Sequence, residues 1–130
     1  MPNSDPYDAG FKPVLRPAAI IVDPRKFLEY VLVPGGAGGK SEVFLGLLGF
    51  RPGNSEDALE LVTIYAGQAA DRVEVGDYAL SLRDEHGQRI TITIEVRGVP
   101  LRTGWMVEPE GALRLLTPFS GFAGRREIAK

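Results

Sequence analysis

The sequence predicts an α+β domain in which about three N-terminal helices pack on a roughly four-stranded antiparallel meander. Up to Gln68 the apolar residues recur with the helical period of about 3.6 residues, whereas after Gln68 they alternate with polar residues. Proline, glycine and asparagine separate the apolar runs, as turns and helix ends require. The change of period therefore places the helices first and the sheet second.

Three segments carry helix signals. The first begins at Asp23-Pro24, an N-cap followed by a proline at the first helical position, and ends before Pro34. The second begins at Ser41 and ends at Gly49, and the third is capped by Ser55. The expected buried residues of the third helix are Leu59, Val62 and Ala66.

Period-2 alternation marks the strands. The alternating segments are 78–83, 89–96, 101–107 and 113–117. Strict alternation indicates one buried and one solvated face, which is typical of an antiparallel sheet. Ala19 to Val22 is a further apolar run, which either forms a short strand or pins the N-terminal segment to the core.

Composition limits the classes of function. The chain has 130 residues, of which 44 % are hydrophobic, and this fits one domain with its own core. There is no cysteine, which excludes disulfides, thiolate metal sites and cysteine nucleophiles. The net charge of −2 gives no overall electrostatic signature of a nucleic-acid binder, although a local basic face remains open.

The expected organisation is an extended Pro-rich arm over residues 1–19, a single α+β domain over 20–119 and a flexible tail over 120–130. The first ten residues are polar and acidic, and the apolar runs are far shorter than a membrane span requires. We therefore expect a cytoplasmic protein with no membrane association.

The segment Gly35 to Ser41 looks like a nucleotide-binding P-loop. Lys40 and Ser41 match the end of that motif, but Pro34 stands where its first glycine is required. A P-loop fold also needs a parallel sheet, whereas the remaining chain predicts an antiparallel one. The sequence thus disfavours an NTPase. Two interpretations of the segment remain: a flexible connection between helices, or a site at which Lys40 binds one phosphate or carboxylate.

The remaining polar candidates are the single histidine and the arginines of the strands. His86 is the one histidine and falls in a predicted hairpin, so we expect an exposed turn residue, no metal site and no cofactor. The outward side of the strands carries arginines together with Thr91 and Thr93. Such a side is either an ordinary solvated face or a surface that holds an RNA backbone. The arginines in or beside the strands are Arg83, Arg89, Arg97, Arg102 and Arg114.

Several motifs occur together in a recognisable order. They lie at Asp23 to Leu32, Gly39 to Phe44, Leu48 to Phe50, Arg102 to Val107 and Leu113 to Phe119. Over residues 20–119 the chain resembles an uncharacterised bacterial domain family with the patterns Lys-Leu-x-x-Tyr-Leu-Leu, Gly-x-Lys-Ala, Arg-Thr-x-Trp-Ile and Leu-Val-Thr-Ala-Tyr. Its members look like stand-alone proteins or terminal modules of polymorphic toxins. Some stand beside a partner gene in a toxin–antitoxin-like arrangement.

The resemblance implies a set of site residues. The candidate catalytic residues are Lys40, Arg102 and Thr117, and the candidate binding residues are Lys26, Thr103 and Arg114. The order of helices and strands is also similar to that of barnase-, EndoU- and RelE-like ribonucleases, which is an analogy of fold alone. The family usually carries a histidine between the first helix and the Gly-x-Lys step, and this chain has none there.

Two functions remain open at this level. One is a binding module in a toxin–antitoxin-like system, with a cognate toxin or antitoxin as its protein partner. The other is a metal-independent ribonuclease-like toxin that acts on RNA, in which arginines hold the phosphate and Lys40 assists. The missing histidine favours the first, and the sequence does not decide whether the protein is an enzyme.

Overall fold

The structure, a computed structural model, describes residues 15–123 and contains one mixed five-stranded sheet. Its strands are β1 (Ile20–Ile21), β2 (Ala79–Asp84), β3 (Gly87–Val96), β4 (Val99–Val107) and β5 (Leu113–Phe122). They lie in the order β1-β5-β4-β3-β2. The strands β2 to β5 form an antiparallel meander, and β1 pairs with β5 in parallel through two residues.

The described chain has one long helix, α1 (Ser55–Glu74). The two predicted helices before it are π-helical turns of five residues each, Phe27–Val31 and Val43–Leu47. A short 3₁₀ turn, Ala37–Gly39, lies between them. In each π-helical turn the closing hydrogen bond spans five residues, from the Leu32 amide to the Phe27 carbonyl and from the Leu48 amide to the Val43 carbonyl.

The predicted arrangement of three helices on a four-stranded antiparallel meander is therefore wrong, although the fold is α+β. The sheet gains a fifth, parallel strand, and one helix instead of three is long. Short helical segments are marginal by themselves, so packing of Phe27 and Phe44 into the core decides the geometry of these turns. β1 is too short for its alternation to be visible in the sequence.

The N-cap of helix α1 lies one residue before the predicted one. Asn54 is the N-cap, and its side-chain oxygen accepts the Asp57 amide at 2.9 Å. The buried side of α1 also differs from the predicted one: Leu59 was expected to be buried but is 60 % exposed. The apolar residues that α1 buries are Ala58, Leu61, Tyr65, Ala69 and Val73.

The core lies between the helical layer and one face of the sheet. The Phe27 and Tyr65 rings meet edge to face, with 5.0 Å between centroids. The Tyr65 hydroxyl donates to the Pro118 carbonyl at 2.7 Å, which ties α1 to β5. The apolar side chains that the two π-helical turns and α1 bury all pack into this one core. The opposite face of the sheet, which we call the uncovered face, carries no helix in this part of the chain.

No helix within residues 15–123 combines the length and the apolar character that crossing a bilayer demands. Most of the predicted arm (1–19) and most of the predicted tail (120–130) lie outside the described residues.

Gln68 of α1 forms hydrogen bonds with the backbone of β3 at a position where no neighbouring strand pairs with it. The β2–β3 pairing ends at Ala79 and Thr91, so β3 projects beyond it. There the Gln68 amide group donates to the Glu95 carbonyl at 2.7 Å and accepts the Glu95 amide at 2.8 Å. Because the site is partly solvated, we expect Gln68→Ala to lower the free energy of unfolding by about 1 kcal/mol, as measured by urea denaturation.

The neighbouring Gly67 provides a control of opposite sign. A Cβ added at Gly67 would meet no atom within 4 Å. Because alanine is a better helix former than glycine, Gly67→Ala should raise the free energy of unfolding by roughly 0.5–1 kcal/mol. Equal stability of the Gln68→Ala variant and the wild type would show that the two backbone hydrogen bonds at Glu95 contribute nothing.

Candidate ligand-binding surface

A cavity of about 460 Å³ opens at the free edge of β5. β1 covers only the start of β5, at Leu113 and Arg114. Beyond that point, the first π-helical turn and the residues just before it lie beside the strand. We call this cavity the edge pocket. It is lined by Asp23, Arg25, Lys26, Glu29, Tyr30, Leu116 and Thr117.

Within the edge pocket, Asp23 and Arg25 neutralise each other. The Arg25 guanidinium donates to Asp23 Oδ1 at 3.2 Å and to Oδ2 at 2.7 Å, and the Arg25 backbone amide donates to Oδ1 at 2.9 Å. These hydrogen bonds, those of the side chain first, lower the pKa of Asp23 to about 2. Asp23 is therefore a fixed anion with little capacity to take up a proton at neutral pH.

Lys26 and Lys40 add positive charge at the edge pocket. Lys26 lines it directly, and the Lys40 ammonium lies 5.9 Å from the centroid of the Tyr30 ring. That distance is within the range of a cation–π contact. Within residues 15–123 no salt bridge joins either lysine to a carboxylate, so both remain available to an anionic ligand.

The loop from Gly35 to Ser41 directs Lys40 toward Tyr30 and does not form a phosphate cradle. It follows a π-helical turn, where a P-loop follows a strand. Gly35, Gly38 and Gly39 have positive φ, which glycine adopts without strain. The Ser41 side chain is buried and donates to the Gly36 carbonyl at 3.1 Å, so its hydroxyl is occupied inside the protein.

Thr117 belongs both to the edge pocket and to the uncovered face. It pairs with Gly104 of β4, which in turn pairs with Thr91 of β3. A Cβ added at Gly104 would stand 3.3 Å from the Thr117 Cβ, so the two positions point to the same side of the sheet. Because Gly104 has no side chain, the surface dips there in a shallow notch, which the Thr117 Cβ and Oγ1 border at 3.3 and 3.5 Å from the position of the missing Cβ.

Arg102 lies on the same face as this notch, two residues from Gly104 along β4. It pairs with Thr93 on one side and Gly121 on the other. The Arg102 guanidinium nitrogen Nη2 is 2.9 Å from where a Cβ of Gly121 would stand, so the guanidinium lies over that glycine. Arg102 is exposed and has no carboxylate partner among the described residues. We call Thr91, Thr93, Arg102, Gly104 and Thr117 the threonine face.

Two other predicted binding residues have different surroundings. Thr103 is fully buried; its hydroxyl donates to the Ile92 carbonyl at 2.7 Å and accepts the Trp105 indole N–H at 2.7 Å. This side chain stabilises the core and does not reach the surface. Arg114 donates to Glu108 at 2.6 Å, and this hydrogen bond raises the pKa of the guanidinium. Glu108 therefore largely neutralises its charge.

The remaining arginines and the histidine do not converge on the edge pocket. Arg97 donates to Glu60 and to the Leu48 carbonyl and covers the Phe50 ring at 3.7 Å, which is a structural role. His86 lies on the β2–β3 hairpin and lines a separate cavity of about 290 Å³ together with several carboxylates. Within residues 15–123 no group of three or more histidines or carboxylates could hold a metal ion.

Four of the residues that the sequence singled out, Lys26, Lys40, Arg102 and Thr117, border this surface, and the sequence analysis did not single out Tyr30 and Gly104, which also lie there. Tyr30 follows Lys26 at helical spacing, which was a usable signal. A glycine inside an otherwise alternating strand often marks a close approach of a ligand or a neighbour, and this was the signal for Gly104.

In comparisons with known proteins, no family model, no curated protein and no solved structure matches this chain. The resemblance to the bacterial domain family therefore stays a prediction, and the function must be argued from the surface itself.

Proposed function

We propose that this protein is a non-enzymatic binding module that holds an anionic ligand on the edge pocket and the threonine face. The supporting observation is that Lys26, Lys40 and Arg102 border one surface and form no salt bridge within residues 15–123. Cations that are not paired within the protein attract a phosphate or carboxylate at little cost in lost internal contacts. A toxin–antitoxin-like setting with a cognate partner protein stays a prediction from the resemblance.

Binding is favoured over cleavage because neither Asp23 nor His86 suits the role of proton acceptor at this surface. A general base for metal-independent RNA cleavage is most effective when its pKa lies near neutrality. The pKa of Asp23 is about 2, and His86 lines a different cavity. Glu29 is the other carboxylate of the edge pocket. RNA cleavage by the wild type that Glu29→Gln abolishes would support the ribonuclease alternative against this proposal.

The proposal is tested by mapping where a ligand that offers only negative charge binds on the protein. Inorganic polyphosphate is titrated into the isotope-labelled protein while amide chemical shifts are followed by NMR. We expect the largest shifts at Lys26, Tyr30, Gly104 and Thr117. Arg102→Gln should weaken binding about fivefold to tenfold, since it removes one unpaired cation from the surface.

Arg16→Gln is the matched control. Arg16 is also exposed, but it is paired with Glu74 at 2.8 Å, so removing its charge should leave polyphosphate affinity nearly unchanged. If the two variants lose affinity equally, or if the shifts map away from the edge pocket and threonine face, the proposed surface is wrong.

A further inference from the structure

We propose that the anionic ligand is single-stranded RNA, recognised through its 2′-hydroxyl groups at the threonine face. This inference rests on the proposed function and specifies its ligand. Three features of the surface lead to it: unpaired hydroxyls beside a notch, unpaired cations that flank the hydroxyls, and an exposed aromatic ring at the edge pocket.

The first feature is the row Thr91–Gly104–Thr117 across three adjacent strands. Neighbouring strands are about 4.8 Å apart, so the two threonines stand about 10 Å from each other with the glycine notch between them. No hydrogen bond occupies the hydroxyl of Thr91, Thr93 or Thr117 within residues 15–123. Each hydroxyl can both donate and accept, as can the 2′-hydroxyl of a ribose.

The second feature is the distribution of positive charge around these hydroxyls. Arg102 lies beside the notch along β4, and Lys26 lies beyond Thr117 in the edge pocket. Arg89, one further exposed cation of the uncovered face, pairs with Met106 on the opposite side of the notch from Arg102. Cations on several sides of a row of hydroxyls suit a phosphate backbone that crosses the strands.

The third feature is Tyr30, whose side chain is 37 % exposed at the edge pocket. An exposed aromatic ring offers a stacking platform for a base, and the Lys40 ammonium, which lies over this ring, favours a nearby phosphate. A cavity of about 460 Å³ has room for one unpaired base and not for a duplex. An acidic peptide would use the cations but leave the tyrosine ring and the notch without partners.

The test compares affinities by fluorescence anisotropy. An end-labelled single-stranded RNA of about 12 nucleotides is compared with DNA of the same sequence and with duplex RNA, at low and at physiological salt. We expect single-stranded RNA to bind at least about fivefold more tightly than the DNA, because only RNA offers 2′-hydroxyls to the threonines. Duplex RNA should bind more weakly than the single strand.

Isosteric variants test whether the preference for RNA over DNA comes from the threonine hydroxyls. Thr91→Val and Thr117→Val remove a hydroxyl and keep the β-branched shape, so each should weaken RNA binding and leave DNA binding nearly unchanged. Thr63→Val is the control, because the Thr63 hydroxyl donates to the Leu59 carbonyl on the exposed side of α1. Gly104→Ala would place a Cβ 3.3 Å from the Thr117 Cβ, so it should displace Thr117 and weaken RNA binding; Gly67→Ala, which meets no atom within 4 Å, should leave RNA binding unchanged.

Each alternative outcome has a distinct meaning. If polyphosphate binds at the mapped surface but RNA and DNA bind equally, the RNA proposal is overturned and the proposed function stands. If an Asp/Glu-rich peptide binds there and RNA does not, the ligand is an acidic protein segment and the RNA proposal is again overturned. If neither polyphosphate nor RNA binds, both fail. Thermal unfolding of every variant distinguishes lost contacts from lost folding.

Discussion

Phe27→Ala should lower the free energy of unfolding by about 4 kcal/mol, the usual cost of removing a fully buried phenyl ring and leaving a cavity. The Phe27 side chain is 0 % exposed and lies edge to face with Tyr65. It is the residue that fixes the first π-helical turn against α1. Urea denaturation followed by circular dichroism would measure the loss.

Leu28→Ala is the comparison for this variant. Leu28 is adjacent in the same turn but only partly buried, so its truncation should cost less than half as much. Lys26 and Tyr30 flank Phe27, so the loosened turn should also weaken ligand binding at the edge pocket. A loss of less than about 1 kcal/mol for Phe27→Ala would contradict the packing of this turn, since buried aromatic truncations cost several times more.

The parts of the fold that the sequence predicts well are those with one buried and one solvated side. In β3 the side chains of Ile90, Ile92 and Ile94 are buried, and the polar residues between them are not. That alternation has a direct physical cause, because successive side chains of a strand point to opposite faces. The four antiparallel strands of the meander therefore follow from the pattern, whereas the two-residue strand β1 is too short to produce one.

The helical layer illustrates what a pattern cannot decide. Phe27, Val31 and Leu32 are buried, as an apolar stripe requires, but the same spacing fits an α-helix and a π-helical turn. The hydrogen-bond pattern depends on how the turn packs against Tyr65, which lies far away in the sequence. Likewise, Leu82 alternates in sequence as if buried but is 58 % exposed. A register shift between Leu80 and Arg83 turns it outward.

For the site residues too, local sequence patterns indicated some positions and could not indicate others. Thr103 lies on the same side of β4 as Leu101 and Trp105, so its alternation alone indicated a core position, although the resemblance assigned it to binding. The pairing of Arg114 with Glu108 crosses a turn, and the sequence did not indicate it. That Lys40 lies over Tyr30 depends on the path of a glycine-rich loop, which sequence patterns do not specify.

Acid should remove a stabilising interaction at the start of α1. The Asp57 carboxylate is nearly buried and accepts hydrogen bonds from the Arg51 backbone amide at 2.7 Å and the Arg51 guanidinium at 2.6 Å. The hydrogen bonds of Arg51, those of its side chain first, lower the pKa of Asp57 to about 2. In the unfolded chain the pKa of an aspartate is about 3.9.

The sign of the pH effect follows from these two pKa values. Because the carboxyl group binds a proton less readily in the folded state, its stabilisation is complete above the unfolded pKa and is lost as pH falls from about 4 toward about 2. Asp57→Asn should therefore be less stable than the wild type at neutral pH. The difference between the two proteins should shrink through that window as the wild type is protonated.

Urea midpoints measured from neutral pH down to the acid limit of folding test this expectation. Glu56→Gln is the control, because the Glu56 side chain is 86 % exposed and its oxygen is 3.8 Å from the Arg51 guanidinium, so its removal should change the midpoint little. Parallel curves for the wild type and Asp57→Asn would show that Asp57 is not the titrating group. A converging pair would establish that this carboxylate holds the turn from Arg51 to Asn54 against the first turn of α1.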